Sequence, residues 1–304
     1  MHTRSNTVSR SYALITAVAV VSLSLLSTPA YSLSLGGFAG AAKKAAKVGV
    51  VAAAAGGVGT VVAQAAAAQV TSAANTPPMP QSTGNFGACA DQFYGATLPS
   101  YPALERLQAR ALCFDGFAVL HSGVTKTPLY VAEVLTRSRI QQAKSEARTD
   151  VFFADARLPS RERASLDDYR GSGYDRGHMA PAADMDNAQS MAQSFSLANT
   201  APQAAELNRN AWAKVEIDTR RYVMRASGPV YVLTGPVFAD AQPKTVGKGR
   251  VFVPTHFFKL VYDPAAGRAW AHWAENTDAA RIGAPISYGE LVKRTGVSWL
   301  PSFQ

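Results

Sequence analysis

Tyr169-Arg170-Gly171-Ser172-Gly173-Tyr174-Asp175-Arg176-Gly177-His178-Met179-Ala180-Pro181-Ala182-Ala183-Asp184-Met185-Asp186 is the densest polar cluster of the chain. Gly171, Gly173, Gly177 and Pro181 crowd around Asp175, Arg176 and His178, so backbone shape is being specified along with side-chain chemistry. Histidine is the side chain best placed to accept a proton near neutral pH. An arginine two residues before it offers a permanent charge and a planar fork suited to phosphate oxygens. The carboxylate of Asp175 can hold one of these two groups in place. Taken alone, the cluster would serve equally as a satisfied turn around a structural histidine, and the residues leave both readings open.

A second cluster follows downstream. Leu207-Asn208-Arg209-Asn210-Ala211-Trp212 continues through Lys214 to Glu216, and Leu197-Ala198-Asn199-Thr200-Ala201-Pro202-Gln203 lies just before it. Apolar residues at Leu207, Ala211, Val215 and Tyr222 recur near helical spacing, which predicts a helix over residues 205–224. Asn and Glu within such a helix are not chosen for propensity. They can hold a hard cation or bond to the neighbouring loop. Eight helical residues span about 12 Å, so Asn208 and Glu216 do not easily bind one ion directly together. A direct Asn208 ligand with Glu216 acting through water fits that distance better. In the alternative, Asn208 caps a loop and Glu216 lies in solvent beside Lys214.

In this order and at this separation the two clusters resemble the DNA/RNA non-specific endonucleases of the ββα-metal superfold. Asp175-Arg176-Gly177-His178-Met179-Ala180-Pro181 is similar to that family's signature, and Asn199…Gln203…Leu207-Asn208…Trp212…Glu216 to its metal-binding helix. The resemblance runs from about Cys113 to Gly296 and leaves the N-terminal third outside it.

The resemblance implies specific roles. His178 would be the general base that activates water. Asn208 would bind one Mg²⁺, or Mn²⁺ in its place, with the remaining positions mostly water, an arrangement magnesium accepts. Arg176 would stabilise transition-state charge, and Glu216 would orient a water of the ion. Spacing to Trp212 and Glu216 selects Asn208 over Asn210. Asp175 and Asn199 would support the site, and Arg148 is the candidate for an upstream phosphate-binding arginine. All these groups address phosphate, which carries no base information. The expected partners are therefore DNA and RNA alike, without sequence preference, and a protein inhibitor is a further possible partner.

The rest of the chain sets the context. Residues 129–135, 229–238, 255–262 and 268–274 read as short strands, as do residues 114–120. Ser287 with Glu290 three residues later reads as a capping box, and Gly296 as the end of that helix. Strands outnumber helices and do not alternate with them. The expected class is thus α+β; the resemblance implies in addition a central antiparallel sheet carrying the ββα-metal finger.

The 304 residues include 47% hydrophobic and 17% charged side chains, which excludes a disordered chain. The formal charge is +9, but no Asp or Glu precedes Asp91, while Arg4, Arg10, Lys43, Lys44 and Lys47 do. From Asp91 onward the excess is only +4 (25 basic residues against 21 acidic). Charge alone does not make the main domain a nucleic-acid binder.

Arg4 and Arg10, an apolar run at residues 12–26 and Ala30-Tyr31-Ser32 read as a signal peptide over residues 1–32, predicting export to a periplasmic or extracellular location. The Ala/Gly-rich residues 33–85 read as a linker or interaction segment, with a partner or membrane contact through residues 33–75. The endonuclease-like domain is expected over residues 86–304. An oxidising compartment would pair Cys89 with Cys113. Two rival readings share these features: a delivered nuclease toxin with a cognate inhibitor, and a nucleic-acid-binding relative that has lost catalysis.

Overall fold

The computed structural model describes residues 85–301. The chain divides into two units, Met1–Val70 and Thr71–Gln304, and the described residues belong to the second. The signal-peptide reading, the cleavage site and nearly all of the Ala/Gly-rich segment lie outside them.

The strands are β1 (Ala109–Cys113), β2 (Ala118–Ser122), β3 (Thr127–Leu135), β4 (Tyr174–His178), β5 (Thr200–Ala204), β6 (Val230–Val237), β7 (Thr245–Val246), β8 (Val251–Phe252), β9 (His256–Asp263), β10 (Arg268–Glu275) and β11 (Ile286–Ser287). The α-helices are α1 (Arg137–Ala143), α2 (Leu166–Tyr169), α3 (Ala188–Ser194), α4 (Ala213–Val223) and α5 (Tyr288–Thr295). Seven strands form one sheet in the order β1-β2-β3-β6-β9-β10-β11, and every pairing in it is antiparallel.

Strand alternation divides the core into two layers. Val119, Val131 and Phe257 face one layer with Met179, Phe195 and Trp212. Their neighbours Leu120, Tyr130 and Phe258 face the other with Trp299 and Leu291. Both faces of the sheet are covered, so a central strand such as β9 carries consecutive apolar residues where a half-solvated strand would alternate. Each fully buried Phe or Leu in these layers contributes roughly 1.5–3 kcal/mol. The first layer is the one that seats the candidate site: β4, β5 and the helix after them pack there as a ββα unit.

Four of the five expected strands correspond closely to β3, β6, β9 and β10. The fifth, over residues 114–120, does not stand. Phe114 N–H donates to the Phe117 carbonyl across a tight turn at 2.9 Å. The apolar run is therefore split between β1, which the sequence reading missed, and β2. The aromatic pair Phe114–Phe117 masks the turn residues Asp115 and Gly116, with ring centroids 4.4 Å apart.

The predicted helix begins as a π-helical turn over Leu207–Trp212 before continuing as α4. At α5 the Ser287 side chain accepts the Glu290 N–H, and Gly296 closes the helix at φ +67°. The Glu290 carboxylate accepts from Arg294 Nε at 2.8 Å, so only half of the expected capping box forms.

Cys89 and Cys113 form the expected disulfide, with Cα atoms 5.6 Å apart. It ties the N-terminal turn Gly87–Gln92 to the sheet's edge strand β1. Among the described residues no helix is long and apolar enough to cross a membrane.

Candidate active site

The polar cluster at Tyr169–Asp186 becomes a turn followed by a strand. Gly171 and Gly173 take φ of +65° and +82°, a region that favours glycine, and they reverse the chain into β4. β4 pairs antiparallel with β5, setting Asp175 opposite Gln203, Gly177 opposite Ala201 and His178 opposite Thr200. A Cβ on Gly177 would lie 2.1 Å from Gln203 Oε1 and 2.6 Å from Gln203 Cβ. Glycine at 177 is thus required by close approach of the buried Gln203 side chain.

Immediately after the strand, Asn199 fastens the chain. Its Nδ2 donates to the carbonyls of Ala180 and Ser194, each at 2.9 Å, and its Oδ1 accepts the Ala180 N–H at 2.9 Å. Asn199 is fully buried, so it acts by holding the Met179–Ala180 segment beside His178 and does not reach the cleft.

The His178 ring sits between Phe152 and Phe195, with centroids 5.2 and 5.1 Å away. Its Nε2 is buried without a hydrogen-bond partner. Burial, reinforced by the positive charges of Arg148 and Arg176, lowers its pKa to about 3. His178 is therefore neutral across the physiological range, the form that can accept a proton.

The same two phenyl rings position the arginines. The Arg176 guanidinium lies 4.2 Å from the Phe152 centroid and that of Arg148 lies 5.0 Å from Phe195. Arg148, Phe152, Tyr169, Tyr174, Asp175, Arg176, His178 and Asn208 together line one cleft of about 460 Å³.

Asp175 was expected to steady either His178 or Arg176. It holds the helix instead. Its Oδ2 accepts from Asn208 Nδ2 at 2.9 Å, and its carboxylate receives two hydrogen bonds from Arg209, at 2.8 and 2.7 Å. These donors hold its carboxyl below the usual range, against the opposing effect of burial. The reason is topological: pairing of β4 with β5 brings the following π-helical turn beside Asp175. Asn208 is thereby oriented at the cleft wall, with its amide nitrogen committed to Asp175.

Glu216 lies two helical turns further on and is partly buried. Burial raises its pKa to about 7; Lys259 and Arg220 oppose the rise, while Asp184 adds to it. Lys259 and Glu133 occupy the site-side face of the sheet beneath α4. Lys259 Nζ donates to Thr234 Oγ1 at 2.6 Å and to the Met179 carbonyl at 3.4 Å. Glu133 is buried with neither carboxyl oxygen hydrogen-bonded, Arg139 Nη2 lying 3.9 Å from Oε2, and burial pushes it to about 8.

Sequence reasoning missed this buried charged layer, and it missed Phe152 and Phe195. It also missed Arg220, which donates to Asp184 at 2.9 Å. Arg220 carried a usable signal, since it follows Glu216 by four residues and so shares its helix face. The phenylalanines carried none, being apolar residues among many.

The donor set suits a hard, hydrated cation. Asn208 offers a neutral amide oxygen at the cleft; Glu216, two helical turns on, is not among the residues that line it, and among the described residues no group of three or more His, Cys, Asp and Glu forms a closed metal cage. An ion held by one or two protein oxygens and its own water fits this set, whereas zinc in a thiolate or imidazole cage does not.

An antiparallel strand pair followed by a helix, set on a central antiparallel sheet, is the fold of the ββα-metal nucleases. The chain belongs to the DNA/RNA non-specific endonuclease family, whose profile matches residues 95–299.

Among its relatives, Nuclease 1, mitochondrial, of Schizosaccharomyces pombe is 35% identical over 190 residues, covering 59% of this chain and 57% of that protein. Endonuclease G, mitochondrial, of Bos taurus is 36% identical over 208 residues, covering 65% and 66% respectively. The chain thus spans less than two thirds of the length of these curated relatives. A crystal structure of the EndoG/EndoGI complex matches with a TM-score of 0.55 and 25% identity, covering 62% of this chain and 84% of that one.

These relatives correct one expectation. The periplasmic or extracellular location read from the N-terminus is not upheld, because the relatives are named as mitochondrial nucleases. The physical source of the error is compositional. A segment with Arg4, Arg10, several serines and no acid before Asp91 also has the composition of a mitochondrial transit peptide, so the apolar run at residues 12–26 does not separate the two.

Proposed function

We propose that this chain is an endonuclease that hydrolyses phosphodiester bonds of DNA and RNA without sequence preference, using His178 as general base. The observation that carries this reading is the convergence on one cleft of a histidine set between two phenyl rings and two arginines stacked on those rings.

His178 takes the proton from the attacking water, and typical contributions from such a base are 10²–10⁴-fold. Arg176 and Arg148 stabilise charge on the phosphoryl oxygens, in a site already ordered before substrate arrives. Asn208 would offer its side-chain oxygen to Mg²⁺, with Mn²⁺ as a substitute, and Glu216 would act on the ion through water. The ion, when bound, neutralises the phosphate and stabilises the leaving oxygen. Positive charge at that point would return Glu216 to its ionised form, since an adjacent cation favours the carboxylate.

Asp175 and Asn199 act indirectly, the first by orienting Asn208 and the second by fastening the chain after His178. Water as nucleophile requires no 2′-hydroxyl, which is why both sugars are accepted. The related EndoG structure is an inhibitor complex, and by analogy a protein inhibitor is the proposed protein partner of this site. Residues 86–304 are proposed as the endonuclease domain.

The test is digestion of duplex DNA, single-stranded DNA and RNA by the purified full chain, with Mg²⁺ and with EDTA. A metal-dependent smear from all three is expected. Discrete bands, or cleavage undiminished by EDTA, would overturn the reading.

A further inference from the structure

The segment Lys244-Thr245-Val246-Gly247-Lys248-Gly249-Arg250 carries three cations and no acid. It forms β7 and the turn of the hairpin that β7 makes with β8. Lys244, Lys248 and Arg250 are all exposed, and none has an ion-pair partner among the described residues. Such a run would ordinarily be a solvated surface. Its attachment to the cleft distinguishes it.

Lys244 Nζ lies 3.1 Å from the Tyr174 hydroxyl and 4.9 Å from the centre of that ring, and Tyr174 is a wall of the cleft. Beneath the hairpin, Val246, Val251 and Val253 pack in one cluster with Tyr174 and with Tyr169 and Phe152, two further residues of the cleft. At the turn, Gly249 N–H donates to Asp168 Oδ1 at 2.6 Å. The other oxygen of Asp168 caps α2, accepting the Ser165 N–H at 2.9 Å. Val253 N–H closes the base of the hairpin on the Lys244 carbonyl at 2.8 Å.

Three uncompensated cations are thus held on a braced hairpin whose core is continuous with the cleft. Like charges held together repel one another and attract a polyanion, and among the described residues no carboxylate forms an ion pair with any of the three.

We propose that the β7–β8 hairpin is a second nucleic-acid-binding element, taking backbone phosphates that flank the one being cut, with Lys244 and Tyr174 at the boundary between the two sites. The proposal rests on the endonuclease reading for the identity of the ligand. Its contacts are to phosphate, so it strengthens binding on every sequence alike.

The experiment measures equilibrium binding of the full chain to a short duplex in EDTA across a range of salt, which requires no turnover. The wild type is compared with K244Q/K248Q/R250Q, with the single variant K248Q on the exposed turn, and with the charge-matched variant R106Q/R225Q/K293Q elsewhere on the surface. Thermal melting checks that each folds.

Each phosphate contact contributes about 0.9 to the slope of log K against log salt on duplex DNA. The triple hairpin variant should therefore lose between about 1 and 3 of that slope and K248Q up to about 1, while the surface variant keeps the wild-type slope. An unchanged slope in the hairpin variants, or an equal loss in the surface variant, overturns the proposal. Cleavage with Mg²⁺ is read separately. A hairpin-dependent slope without cleavage sinks the activity and not the hairpin; cleavage with a hairpin-independent slope does the reverse.

Discussion

Replacing Gly177 by alanine isolates the contact on which the site's geometry depends. The added methyl would lie 2.1 Å from Gln203 Oε1, 2.6 Å from its Cβ and 2.9 Å from its Cδ. The amide end of a glutamine can rotate away, but its Cβ is fixed by the backbone. Carbon atoms pack at about 3.5–4.0 Å, so the gap between β4 and β5 must open by roughly 1 Å. Gln203 is fully buried, so any movement must be made against packed neighbours. Overpacking of this kind costs roughly 1–3 kcal/mol, and for a domain of this size each kcal/mol lowers Tm by about 2–4 °C.

The larger effect should be on turnover. Arg176 and His178 flank position 177, and a 1 Å misplacement of reacting groups can cost about 10²-fold. Urea unfolding and initial rates on duplex DNA would measure the two effects. The double variant G177A/Q203G removes the obstructing side chain and should recover part of both losses, appearing as a coupling term in a double-mutant cycle. If G177A matches the wild type in stability and rate, the close strand approach is not what specifies this glycine, and the argument fails.

Three other outcomes follow from the site and the fold. His178→Ala should lower kcat by about 10²–10⁴-fold while retaining Mg²⁺ and nucleic-acid binding; Asn208→Ala should lose metal affinity, with partial recovery at high Mg²⁺ or Mn²⁺, and isothermal titration separates the two. Because burial holds folded His178 near 3 against an ordinary 6.5, the unfolded chain binds the extra proton between those values. Wild-type stability should then fall relative to His178→Ala as pH drops from about 6.5 toward 3, and parallel pH curves from urea melts would contradict this. Replacing both Cys89 and Cys113 by serine opens a loop closed across 24 residues and should cost roughly 3.5 kcal/mol by chain entropy, read as a lower urea midpoint with little change in the rate of cleavage.

The residues that gather at the candidate site were legible in the sequence because they are distinctive types at short spacing. A histidine, an arginine and three glycines within eight residues, followed by Asn208 and Glu216 on one helix, bring their own local constraints, and the structure gathers His178, Arg176, Asn208 and Arg148 at one cleft. Strands buried on both faces were also readable, as apolar runs bounded by turn residues. The run from Phe114 was misread because the aromatic residues hid its turn.

What the tertiary structure alone decided concerns partners distant in the chain. Phe152 and Phe195 stand 26 residues before and 17 after His178, yet their rings flank it, and its burial together with the charges of Arg148 and Arg176 lowers its pKa. Asp175 bonds to Asn208 and Arg209, 33 and 34 residues away, although its sequence neighbours looked the natural partners. Lys259 and Glu133 are ordinary charged residues in sequence, and only the stacking of α4 on β3 and β9 turns them into a buried layer beneath the site. Burial and electrostatic environment are set by the sum of surrounding groups in space, and a linear pattern encodes that sum only where the groups are also neighbours along the chain.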